Sequence, residues 1–194
     1  MMRLALCLIV AIALGAGAQQ PTHRVHIRFV PQSDSFAAAA REYERLWGAE
    51  GDRIIAVMER VSGLTFVYPQ YADTAITAVV LEAPSYSGYR DGTMQLRASY
   101  TTDTKKATLI HELGHRLQAG LFRHDEEEHG PLFLWLYDTW VALYGKEFAD
   151  AQVLVERQRG GPYPKAWDDA LALTAQMRAA RWKTLVAERL PTRR

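Results

Sequence analysis

The apolar periodicity of this chain, strand-like before residue 100 but for one long helix, becomes helical throughout after it, and that change confines it to few architectures. Before it the pattern alternates. His23 to Val30 is rich in Val, Ile and Phe and reads as a strand. Leu64 to Tyr68 and Ala75 to Leu81 read as two more, separated by a polar turn at Gln70 to Thr74, and Thr93 to Ser99 reads as an edge strand. One long helix interrupts them. Ser33 and Asp34 suit its start and Gly63 its stop, with a break allowed at Gly48 to Gly51. After residue 100 the period becomes 3.6. Thr102 or Asp103 caps a helix through Ala119, with Gly120 in the C′ position. Helices over 125–144, 147–159 and 165–189 follow, with Gly145 and Gly160-Gly161-Pro162 as breaks. Strands first and helices afterwards predict an α+β fold: a small mixed N-terminal sheet packed on the 102–119 helix, then a helical C-terminal half.

The first 18 residues stand apart from this pattern. Met1-Met2-Arg3 is a positive start, Leu4 to Leu14 is unbroken and apolar, and Ala16 and Ala18 form an A-x-A site before Gln19. The apolar run is too short to span about 30 Å of hydrocarbon. Residues 1–18 are therefore expected to be a cleaved export signal and 19–194 a single domain, secreted or periplasmic, with no stable membrane span. Cys7, the one cysteine, leaves with the signal, so the mature chain holds neither disulfide nor thiolate. Lys and Arg number 23 against 22 Asp and Glu, a balance that excludes a nucleic-acid partner of the usual basic kind. The content of 48% hydrophobic residues supplies a core and excludes a disordered chain.

Chemistry concentrates at residues 111–115, His-Glu-Leu-Gly-His. On a helix, His111 and His115 lie one turn apart on one face, where both imidazoles can reach a single zinc ion. Glu112 stands beside the first of them, placed to take a proton from a water that zinc activates and to pass it to a leaving amine. Ile110, Leu113 and Leu117 give the helix a packing side. Gly114, a poor helix former, fits a place where something approaches closely.

A His-Glu-x-x-His helix after a small sheet resembles the zincin superfamily of zinc metallopeptidases. The motif carries the resemblance, and the strand-then-helix layout extends it loosely over residues 64 to 145. It implies a peptidase with Zn2+ as cofactor, Glu112 as general base and acid, and His111 and His115 as ligands. It also implies that Thr93 to Ser99, as the edge strand, holds the substrate backbone extended.

The third ligand follows no subfamily pattern. Gln118 and Leu121 stand where metzincins place glycine and histidine. Trp135 and its neighbours leave no glutamate between Gly130 and Lys146 for a gluzincin, and the aspzincin G-T-x-D is absent. The candidates are His124, Asp125, Glu126, Glu127, Glu128 and His129. On a helix from Asp125, Phe133, Leu136, Trp140 and Leu143 all fall within about 40° of His129, the centre of the apolar face. His129 is therefore the expected third ligand, with Asp125 and Glu128 as alternatives. Asp125 or Asp138 would otherwise orient a liganding imidazole. Tyr137, Tyr144, Arg123 and His124 are candidates for stabilising an oxyanion.

These residues predict an exported zinc-dependent metallopeptidase acting on peptides or unfolded segments. A zinc-binding but non-catalytic binding or envelope module is the alternative. A zinc hydrolase acting on a non-peptide bond is a third reading.

Overall fold

The computed structural model describes residues 25–66, 76–88, 92–122 and 128–190. The expected signal at 1–18, and Arg123, His124, Asp125, Glu126 and Glu127, lie outside the described residues. Strand β1 (Ile27–Pro31) leads through a short 3-10 turn into helix α1 (Ala37–Ser62); β2 (Ile76–Leu81) and β3 (Thr93–Arg97) follow. Among the described residues five helices follow: α2 (Thr102–Leu117), α3 (His129–Tyr144), α4 (Lys146–Arg157), α5 (Tyr163–Leu171) and α6 (Ala175–Arg189).

The α+β class is as expected, but the sheet differs. Its strands run in the order β1-β2-β3 and all are parallel, not mixed. For β1 and β2 the reason is α1: a helix between two strands carries the chain back to the starting end of the sheet, so β2 enters in the direction of β1. Ile27 pairs with Ile76 and Thr77 with Thr93 at the starts of the two ladders. Ile76, Ala78, Val80, Met94 and Leu96 are buried in the main core.

Leu64 to Phe66 is not a strand. After Gly63 closes α1 in the left-handed region (φ 69°), the chain is tied back to that helix, with the Leu64 N–H donating to Ser62 Oγ (3.1 Å) and the Phe66 N–H to Glu59 Oε1 (2.8 Å). The other half of that expected strand lies outside the described residues. α1 runs unbroken past Gly48 and Gly51. The expected final helix is two: α5 ends at Leu171, and the Thr174 side chain accepts the Met177 N–H (3.2 Å) to cap α6. The cap of α2 is Thr101, one residue before the expected pair, and its hydroxyl accepts the Thr104 N–H at 3.3 Å.

Helices α2 and α3 form the centre. From Ala107 to Leu117 every residue of α2 is buried, and Leu132 to Tyr137 is a continuous buried run in α3. Gly114 lets them meet: a Cβ there would stand 2.7 Å from Leu132 Cδ1 and 3.3 Å from the Trp135 ring. The close approach that the glycine implied is thus α3 itself. Gly114→Ala forces these helices apart and is expected to cost about 1–3 kcal/mol, read as a fall in melting temperature of roughly 2–4 °C per kcal/mol. An unchanged melting temperature would show that the contact relaxes freely.

Candidate metal centre

Two of the six candidate histidine and acidic ligands, Glu128 and His129, lie among the described residues, and His129 joins the motif. The ring nitrogens of His111, His115 and His129 that could bind one ion all lie within 4.8 Å of one another. α2 supplies the first two from successive turns; His129 is the first residue of α3. The α2–α3 approach at Gly114 brings the two helices to this distance.

The geometry fixes which nitrogens face each other. His111 Nδ1 is 2.7 Å from Glu156 Oε1, and His115 Nδ1 is 3.3 Å from Glu128 Oε2. An ionised carboxylate only accepts, so each Nδ1 carries the proton and donates. Both Nε2 atoms then present lone pairs, and they stand 3.2 Å apart. Two lone pairs at that distance repel unless a cation lies between them. Nitrogens bound to one tetrahedral zinc at 2.0–2.1 Å are about 3.3 Å apart. The donor set, its spacing and its paired carboxylates fit a zinc ion.

Glu156 was not anticipated as a site residue. It is fully buried on α4 and also accepts the Trp167 Nε1–H at 3.0 Å. Burial would raise its carboxyl, but His111, Arg159 and Trp167 together hold it below the usual range. Burial pushes the His111 imidazole down to about 3, against the pull of Glu156, and lowers His115 likewise. Both rings therefore stay neutral, the form that ligates a metal. Burial also raises Glu112 to about 8, opposed by Arg159 and Arg116 and reinforced by Glu156. A cation among the histidines works in the other sense, favouring the carboxylate. Glu112 itself is buried, 3% exposed.

Aromatic rings hold the cage. Tyr163, at the start of α5, stacks on His111 at 5.9 Å and meets His129 at 4.4 Å between centroids. Phe133 lies under both imidazoles and stacks on Trp167 at 3.9 Å. Gly160 and Gly161, both in the left-handed region (φ 74° and 56°), turn the chain so that Tyr163 arrives over the histidines.

The other expected residues have different work. Glu128 faces His115 and orients it. Asp138 does not serve the site: it receives two hydrogen bonds from Arg178 (2.9 and 2.6 Å), joining α3 to α6. Tyr137 donates to Asp150 (2.7 Å), and Tyr144 lies under the Arg53 and Lys106 cations, so neither reaches the histidines. The outer edge of β3 is not open. Gln95 exchanges hydrogen bonds of 3.0 and 2.8 Å with Tyr86, and the Arg97 N–H donates to Ser85 Oγ. The Arg116 guanidinium on α2 pins this strap through the Ser87 carbonyl oxygen at 2.7 Å. The chain itself thus takes positions that a substrate backbone was expected to use.

Comparison with known proteins gives no relative: no family model, no curated protein and no solved structure matches the chain.

Glu156→Gln keeps size but weakens the acceptor for His111. Zinc affinity is expected to fall about 10- to 100-fold, measured by competition with a chelating dye. Equal affinity would remove Glu156 from the centre.

Proposed function

We propose that this chain is an exported zinc-dependent peptidase of the zincin kind. The observation that carries the reading is the convergence of His111 and His115 Nε2 at 3.2 Å, each ring anchored through Nδ1 on a carboxylate, beside Glu112. His111, His115 and His129 would hold the zinc. Zinc held there supplies Lewis acidity that makes water a nucleophile at neutral pH. Glu112 takes the proton of the attacking water and returns it to the leaving amine. Export rests on the residue pattern of the first 18 positions. Among the described residues no helix is long and apolar enough to cross a membrane. Peptides and unfolded segments suit a chain of this length.

One observation favours the alternative of a zinc-binding module without turnover. His111 is 0% exposed, Glu112 3% and His115 8%, so a substrate must enter from the side of His129 and Tyr163, both half-buried.

Metal analysis and a peptide-library digest separate the readings. The wild type is expected to carry about one zinc per chain, and His129→Ala to lose it. Glu112→Gln is expected to keep zinc while cleavage falls at least about 100-fold. A zinc-loaded wild type that cuts no peptide would leave the module; a wild type that takes no zinc would sink both.

A further inference from the structure

Arg159 occupies the turn between α4 and α5, and every charged partner it has belongs to the metal centre. Its Nη2 donates to Thr108 Oγ1 at 3.1 Å and lies 3.7 Å from Glu156 Oε1. Thr108 and Glu112 are four residues apart on α2, about one helical turn and roughly 6 Å of rise, and the Arg159 charge acts on the Glu112 carboxyl. Two tyrosine rings flank it, with Cζ 5.9 Å from the Tyr100 centroid and 5.5 Å from that of Tyr163. Its Nε–H is buried with no hydrogen-bond partner among the described residues, yet the side chain is 18% exposed. Tyr100 follows the C-terminal end of β3 by three residues.

We propose that Arg159 recognises a carboxylate on the substrate and thereby sets specificity. This rests on the peptidase reading. A guanidinium offers several N–H groups in one plane, which match a carboxylate better than any other common peptide group. Charge permits it. Glu112, Glu128 and Glu156 carry three negative charges; Arg159 and a divalent ion carry three positive, so the centre does not repel an anion. One helical turn equals one to two residues of extended chain at 3.3–3.6 Å each, roughly. The bond cut therefore lies one or two residues from the carboxylate. A free C-terminus supplies that group, as does an acidic side chain at the same distance.

The test compares short peptides of one sequence ending in a free acid or an amide, with a second pair, amide-capped, bearing Glu or Gln near the scissile bond. Binding to zinc-loaded Glu112→Gln protein is followed by tryptophan fluorescence, and kcat/KM is measured on the wild type. The free acid is expected to bind about 10- to 100-fold more tightly than its amide. That gap should vanish in Arg159→Gln and survive in part in Arg159→Lys. A Glu peptide that shares the preference names the side chain as the second source. Equal binding of acid and amide together with equal binding of Glu and Gln overturns the proposal, as does a preference that persists in Arg159→Gln. The wild-type comparison needs no variant, so a misfolded mutant does not decide the matter. Acid-selective binding without cleavage upholds the role of Arg159 and overturns the peptidase reading alone.

Discussion

Burial of a polar helix is the constraint on which this structure depends. α2 carries Lys105, Thr108, His111, Glu112, His115 and Arg116 into the interior, and a buried polar group without a partner costs about 1–3 kcal/mol. Each surrounding element answers one of them. α1 sends Glu42 to Lys105, with the Tyr43 ring beneath the ammonium. The strap beside β3 offers the Ser87 carbonyl to Arg116. α4 gives Glu156 to His111, the turn after it gives Arg159 to Thr108, and Glu128 at the head of α3 faces His115. The helix is thus solvated by protein, and its neighbours are held in place by the groups they satisfy.

Local signals in the chain carried most of the helices and the histidine set. A one-turn spacing and a central place on an apolar face are properties of single helices, and those pointed to His111, His115 and His129, whose ring nitrogens lie together. Strand direction is not local: the parallel β1–β2 pair came from the α1 crossover, which alternation alone does not encode. Leu64 to Phe66 had strand composition, but the nearby acceptors Ser62 and Glu59 captured its amides first. Tyr137 and Asp138 were ambiguous because partners from α4 and α6 settled their roles.

Glu156, Arg159 and Tyr163 were missed for a physical reason. They arrive from 45 to 52 positions beyond His111, and only packing of α4 and α5 against α2 joins them to it. One signal was available. Ala149, Gln152, Val153 and Glu156 follow helical spacing on the buried face of α4, and a glutamate on such a face requires a cationic or donating partner.

The Trp182 indole N–H donates to the Ser62 carbonyl oxygen at 2.6 Å, across 120 residues of chain. This bond closes the C-terminal end of α1 with the last helix. A chain that emerges N-terminus first cannot make that closure until α6, 120 residues after Ser62, has followed. Long-range closure slows folding, because its entropy is spent before its contacts form. Such a chain remains open during synthesis and completes its interior late.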